Sequence, residues 1–379
     1  MNKTIVISAI NFFQGGPLRI LMHCLEELSS SRYYSFDIYI LVHRKSLFEG
    51  KNYPDNFFFK EYPNSRKSYI YRLYYEYIFF GIQSSKIDVR LWLSLHDITP
   101  RNIKADVKAV YCHNPTPFYK KSVKDILYLN LFMFTWLYKY FYRINIHTNN
   151  FVIVQQQWIK QEFMSMFNID SKKIIVAKPI ENLSNAAPYK KSIIQQKENN
   201  KKLFFYPTFP RPFKNIEIIV DAVSILSDKY ENKFEVIITI NGKENLYSKR
   251  IVKYNNGNKH IKFIGQQDMD QVYEYYSKCD CLIFPSKLET WGLPISEFKQ
   301  FCKPMFIPNL PYASETVSNY QFPKFFDPNN ASSLAKLMAL LIDNNLHNFD
   351  KNEIYYQEEG NVTTNWEELF DKLLEKTDV

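Results

Sequence analysis

Two carboxylates, Glu289 and Glu297, separated by seven residues, close the stretch Pro285-Ser286-Lys287-Leu288-Glu289-Thr290-Trp291-Gly292-Leu293-Pro294-Ile295-Ser296-Glu297. Pro294 suits the first turn of a helix, where an N–H has no intrahelical partner to lose, so a helix is expected to open just after Gly292 and Leu293. Free amides at such a start can hold an anion, and Gly292 lets backbone come close to a phosphate. Carboxylates repel an anion but accept hydrogen bonds from hydroxyl groups. The chemistry expected is therefore amides on phosphate, one glutamate on a ribose and the other on a sugar. A chain with 22 Glu yields a pair at this spacing about once by chance, the false positive that motif matching invites. The specificity lies in the whole string, which follows the apolar strand Cys281-Leu282-Ile283-Phe284.

Other candidate groups also follow strands. Tyr206-Pro207-Thr208-Phe209-Pro210-Arg211-Pro212-Phe213-Lys214-Asn215 leaves a strand and opens a helix. A forked guanidinium and a point-charge ammonium are what a buried diphosphate needs, with Arg211 the stronger candidate and Lys214 the second; the alternative is two surface charges beside a turn. Gly15-Gly16 makes a permissive turn after the first strand. His113, before Asn114-Pro115, sits past a strand end; His96, in Leu95-His96-Asp97, competes for the same role. Asp268-Met269-Asp270 has the spacing of a metal-binding acid pair, but it precedes a helical pattern that Asp268 is suited to cap.

The string P-S-x-x-E-T-W-G-L-P-x-x-E after a buried strand resembles the signature of the retaining glycosyltransferases of family four, a Glu, seven residues and a Glu. The resemblance implies an α/β chain of GT-B architecture, two Rossmann-like doubly wound domains facing a central cleft. It implies a nucleotide diphosphate sugar as donor and a glycan or lipid-linked oligosaccharide as acceptor, with retention of configuration and neither metal nor cofactor. Carried onto this sequence, it gives His113, Glu289, Arg211 and Lys214 catalytic roles. Donor binding falls to Gly15, Gly16, Arg211, Lys214, Glu289, Trp291, Gly292, Leu293 and Glu297. The family's spacing between the basic pair is longer than the one here. Family habit points to bacterial surface polysaccharide, O-antigen or capsule. The alternatives are a GT-B-like phosphorylase or sugar-nucleotide epimerase, or a nucleic-acid-binding protein. A net charge of +9 and 31 Phe with 28 Tyr would fit the last, but two acids in the best loop would repel a phosphate backbone.

These groups need a scaffold. At 379 residues the chain exceeds one ordinary core. Strands are expected at Phe36–Val42, Asp88–Leu93, Ala109–Cys112 and Phe151–Val154. After a polar stretch at Tyr189–Lys202 they restart at Leu203–Tyr206, Phe234–Ile240, Ile261–Ile264 and Asp280–Phe284, with helices between. The expected division is an acceptor domain over 1–190, a nucleotide-sugar domain over 191–355 and a terminal helical segment over 356–379 that packs back on the first domain. Ile5–Ile10 reads as a first strand, too short for an export signal. Five cysteines without C-x-x-C spacing point away from disulfides and towards a cytoplasmic location. The basic, aromatic segment 117–149 is too short and too interrupted to span a bilayer. It reads either as a core helix or as a peripheral contact with the inner face of the cytoplasmic membrane.

Overall fold

Short apolar runs alternating with one-sided helices build two separate parallel sheets. The computed structural model describes residues 3–119, 129–179, 201–346 and 360–375. They form two compact units, one made of the described residues up to 179 together with 360–375, the other of 201–346.

In unit 1 the strands are β1 (Thr4–Ala9), β2 (Asp37–Val42), β3 (Phe57–Glu61), β4 (Val89–Ser94), β5 (Val107–Cys112), β6 (Phe151–Val154), β7 (Ile174–Ala177) and, from the chain's end, β14 (Val362–Thr363). Their order is β14-β7-β6-β5-β4-β1-β2-β3, and the pairs are parallel. The middle strands are buried on both faces, which is why they read as unbroken apolar runs instead of alternating ones. Strand order reverses between β1 and β4, so the crevice of this sheet lies beyond their carboxyl ends. Around the sheet lie α1 (Gly15–Leu28), a continuous rod of α2 (Tyr69–Tyr74), a π turn (Tyr75–Phe79) and α3 (Phe80–Ser84), then α4 (Leu129–Arg143) and α5 (Gln157–Phe167).

In unit 2 the strands are β8 (Lys202–Tyr206), β9 (Phe234–Ile238), β10 (Ile261–Phe263), β11 (Cys281–Ile283), β12 (Met305–Pro308) and β13 (Pro323–Phe326), in the order β10-β9-β8-β11-β12-β13. This is a doubly wound sheet whose order reverses between β8 and β11. Its helices are α6 (Ile216–Leu226), α7 (Leu246–Tyr254), α8 (Met269–Lys278), α9 (Leu293–Lys299), α10 (Pro311–Val317) and α11 (Ala331–Ile342). Asp268 is the N-cap of α8: its Oδ1 accepts from the Gln271 N–H at 2.8 Å, while Gln271 Oε1 accepts from the Asp268 N–H at 3.0 Å.

The last helix, α12 (Trp366–Leu374), belongs to unit 1. Asn365 caps it by accepting from the Glu368 N–H at 2.8 Å, and Arg90 on β4 donates to the Leu374 carbonyl at 2.8 Å. Its inner face, Trp366, Leu369, Phe370 and Leu373, joins the core formed by β1, β4, β5 and α1. In the segment 117–149, residues 120–128 lie outside the described residues. Helix α4 buries Thr135 and Tyr142 and turns Trp136 and Tyr140 outward, 53% and 49% exposed. Among the described residues no helix is long and apolar enough to cross a membrane. The polar stretch at Tyr189–Lys202 lies, up to residue 200, outside the described residues.

Phe370 is fully buried against Tyr33, their rings 5.6 Å apart. Phe370→Ala should lower the stability of unit 1 by about 3–5 kcal/mol, the usual cost of emptying a phenylalanine site, seen as an earlier unfolding transition in a denaturant titration.

Candidate active site

Strands β8 and β11 are neighbours on either side of the order reversal in unit 2, and the loops that leave them are spliced together. The Lys287 N–H donates to the Phe213 carbonyl at 2.7 Å, and Ser286 Oγ donates to the same oxygen at 3.3 Å. Asn215 takes a left-handed backbone, φ 54°, and its Nδ2 donates to the Pro285 carbonyl at 3.3 Å and the Pro328 carbonyl at 2.9 Å. The fully buried Tyr206 at the end of β8 donates its hydroxyl to the Lys214 carbonyl at 3.0 Å, and Tyr312 donates to that of Ser286 at 2.6 Å.

This frame brings Lys214 Nζ into direct contact with Glu289 Oε1. The two side chains are only 18% and 15% exposed, so salt screens their attraction weakly. The ammonium also lies 5.7 Å from the ring centres of both Phe213 and Phe284, whose faces favour a cation. Arg211 is exposed and sits 5.9 Å over the Phe209 ring. Of the two basic residues read from sequence, Lys214 meets Glu289 and Arg211 stays exposed: the short turn Pro212–Lys214 swings Lys214 inward and leaves Arg211 at the rim.

Gly292 precedes α9 with φ +86°, and a Cβ there would meet Ile295 Cδ1 at 3.3 Å and Tyr312 at 3.5 Å. The Ile295 N–H is taken by the Gly292 carbonyl at 2.9 Å. The side chain of Trp291, expected at the donor, is a buried wedge: it is 5% exposed, its indole N–H donates to Ser296 Oγ at 2.8 Å, and its carbonyl accepts from the Thr316 hydroxyl. Leu293 is half-buried at the first position of α9. Glu297 falls in the second turn of that helix, where Oε2 accepts from the hydroxyl of the fully buried Tyr276 at 3.2 Å. Burial and then the Glu297 charge hold the Tyr276 phenol well above its ordinary pKa, so it stays a donor to the carboxylate.

In unit 1, Gly15 and Gly16 head α1, with open space around both and φ +69° at Gly15. Phe12, just before them, packs edge-on against His113 at 5.4 Å, which brings the glycine turn and the β5 loop together. His113 is held by Asp97, a residue the sequence reading did not single out. Asp97 Oδ1 accepts from the His113 N–H at 2.8 Å, the Asn114 N–H at 3.1 Å and the Tyr142 hydroxyl at 2.8 Å. Its φ of 72° is left-handed, a conformation that Asp and Asn tolerate better than most residues. An acidic or amide residue in the loop that follows a predicted strand was the available signal, for Asp97 as for Asn215. His96 is completely buried, with Nε2 3.1 Å from Ser8 Oγ and 2.9 Å from Glu76 Oε1, and Nδ1 3.3 Å from Arg72 Nη2. His113 keeps 14% of its side chain exposed, so of these two histidines it alone presents surface.

Burial lowers the pKa of His113 below 6.5, against an upward pull from Asp97, so the imidazole is neutral at pH 7. In an NMR titration its midpoint should fall below 6.5, and Asp97→Asn should move it lower still, because the lost carboxylate favoured the charged form. Gly292→Ala should destabilise unit 2 by about 1–2 kcal/mol, the left-handed penalty of a side chain, measured by urea unfolding. Gly16→Ala, where a Cβ meets nothing within 4 Å, is the matched control and should be much milder.

The family model described as glycosyl transferases group 1 matches residues 189–359. Over 216 residues, 53% of this chain and 58% of the relative, the sequence is 26% identical to the uncharacterized glycosyltransferase MJ1178 of Methanocaldococcus jannaschii. Over 239 residues, 60% and 63% of the two chains, it is 23% identical to the O-antigen chain mannosyltransferase RfbU of Salmonella typhimurium. The chain thus spans about three fifths of the length of these curated relatives. Among solved structures, WaaG, a glycosyltransferase involved in lipopolysaccharide biosynthesis, superposes with TM-score 0.64 at 12% identity, covering 98% of this chain and 100% of its own. Anabaena Alr3699/HepE, solved in complex with UDP and glucose, gives TM-score 0.59 at 15% identity over 90% of both chains. Two doubly wound units, the first carrying the terminal helix, and the superposition on WaaG give this chain the GT-B fold, and its residues 189–359 match the glycosyl transferases group 1 model.

Proposed function

We propose that the chain transfers a sugar from a nucleotide diphosphate sugar to a glycan or lipid-linked acceptor, with retention of anomeric configuration and without metal or cofactor. The observation that carries this reading is the Lys214–Glu289 contact at the carboxyl ends of β8 and β11, the place where a doubly wound sheet binds its ligand. A cation for the diphosphate and a carboxylate for sugar hydroxyls stand there side by side. In this reading Arg211 swings from the rim to share the phosphate charge, Glu297 accepts from the ribose hydroxyls, and the neutral His113 hydrogen-bonds a hydroxyl of the transferred sugar.

The proposed step needs no protein nucleophile. The acceptor oxygen bonds to the anomeric carbon on the face from which the diphosphate departs, the bond from that carbon to the phosphate oxygen breaks, and the departing oxygen takes the acceptor proton. Lys214 and Arg211 stabilise the charge that develops on the diphosphate. HepE's complex with UDP and glucose supports a nucleotide sugar as donor. The names of RfbU and WaaG support an acceptor in bacterial surface polysaccharide, O-antigen included.

The test is calorimetry with UDP, GDP and dTDP sugars in EDTA, followed by NMR of the product's anomeric proton. One nucleotide sugar should bind without metal, and Glu297→Ala should weaken it roughly ten- to a hundredfold, the range for a hydrogen bond to a charged group. The product should keep the donor's anomeric configuration. Binding of none of these donors, or an inverted product, would contradict the proposal.

A further inference from the structure

Arginines from three different segments gather around the loop 10–13 that follows β1. Arg44 comes after β2, whose Val42 pairs with Ala9, so the two strands end level with each other. Arg66 closes the turn Pro63–Arg66, which is docked on the loop by Ser65, whose hydroxyl donates to the Ile10 carbonyl. Arg72 rises from α2: the Asn11 amide oxygen accepts from its Nη1 and Nη2 at 3.2 and 3.3 Å, and Nη2 also donates to the His96 carbonyl at 3.0 Å. Among the described residues none of the three is within ion-pair distance of a carboxylate.

The surroundings hold these charges without cancelling them. Arg66 lies 3.4 Å over the centre of the Phe13 ring, itself 38% exposed. Stacking fixes the plane of a guanidinium and leaves its in-plane N–H groups to donate. Arg44 is exposed. His43 is buried and its Nδ1 has no partner. Burial and then the charges of Arg66 and Arg44 lower its pKa, so both guanidinium groups act on one ring. Two acids are near: Glu61, whose charge also reaches His43, accepts from the Lys45 N–H at 3.4 Å, and the buried Glu76 faces His96. Two guanidinium forks, beside an imidazole that a proton would turn into a further donor, match the oxygens of a phosphate.

We propose that Arg44 and Arg66 hold a phosphate group carried by the sugar acceptor. Arg72 adds its positive field from beneath the loop. In the strand order β5-β4-β1-β2 the two arginines stand on the β2 side of the loop after β1, whereas His113 follows β5 and meets Phe12 of the same loop from the other side. An anion on the β2 side thus belongs to a molecule entering the crevice next to the sugar that His113 contacts. The assignment to the acceptor rests on the transferase reading, in which Lys214 and Arg211 of unit 2 already serve the donor diphosphate. A phosphorylated sugar and a diphosphate-linked carrier share this chemistry, and two probes separate them.

The full chain, isotope-labelled at its 7 histidines, would be titrated with inorganic phosphate and followed by NMR, with chloride at matched ionic strength as the control. The His43 signal, assigned by its loss in His43→Gln, should shift saturably with phosphate and not with chloride. Arg44→Gln with Arg66→Gln should weaken this binding by about tenfold or more, and Lys214→Met in unit 2 should leave it in place. Both arginines are exposed, so the pair should fold; if it does not, Arg44→Gln alone carries the test. Saturation at lower concentration by glucose 6-phosphate supports a phosphorylated sugar as the source, and by geranyl diphosphate a diphosphate-linked carrier. No shift with any phosphate probe, an equal shift with chloride, or undiminished binding by the folded arginine variant would overturn the proposal. So would saturation by UDP at a lower concentration than either probe, which would give the site to the donor. The readout needs neither donor nor transfer: a chain that binds no nucleotide sugar fails the transferase reading, whereas one that binds a nucleotide sugar without any His43 shift by phosphate fails this proposal alone.

Discussion

A lysine and a glutamate held against each other in a recess mostly closed to water must come from segments that are themselves locked together. In unit 2 Lys214 and Glu289 arrive on different loops, 75 positions apart. What fixes them is backbone: the Phe213 carbonyl accepting from Lys287 and Ser286, Asn215 bridging to Pro285 and Pro328, and Tyr206 holding the Lys214 carbonyl. The sheet makes this splice available, because β8 and β11 pair directly while the chain leaves them towards opposite flanks. Loss of either partner would leave the other charged and poorly solvated, the costly case for a largely buried pair.

Unit 1 handles the same problem differently. Its polar groups beside the β1 and β4 ends are either sunk completely, as with His96, Glu76 and Arg72, or steered by one residue in a strained conformation, as with His113 under Asp97. A non-glycine residue at positive φ costs energy, and it persists where its surroundings over-determine it. The three hydrogen bonds received by one Asp97 oxygen supply that determination. The result is a neutral imidazole with one edge open.

Much of this was legible in the amino-acid string. The apolar runs of β2, β4, β5, β6, β8 and β11 stand out because both sheet faces are covered. The Gly292 and Pro294 punctuation marks the start of α9, and Asp268 marks that of α8. Edge strands were harder to see. Phe57–Glu61 ends in two charges, and Val362–Thr363 is too short to show a period. The burial of the Trp291 side chain could not be read, because it depends on Ser296 and Thr316 being in reach. Nor could which of Arg211 and Lys214 meets Glu289, which turns on the sense of one short turn. The inward Arg72 and Glu76 were hidden in an aromatic stretch whose period is altered by the π turn.

The most direct test of the central claim, that Lys214 and Glu289 form one donor site, is a double-mutant cycle on donor affinity. Lys214→Met, Glu289→Gln and the double variant would be titrated with the preferred nucleotide sugar and with its free nucleoside diphosphate. Lys214→Met should weaken both ligands, Glu289→Gln chiefly the sugar-bearing one, and the double variant should depart from additivity by about 0.5–3 kcal/mol, as residues in contact do. Strict additivity, or unchanged affinity in the folded single variants, would mean that the two side chains only brace the loops and that the donor binds elsewhere.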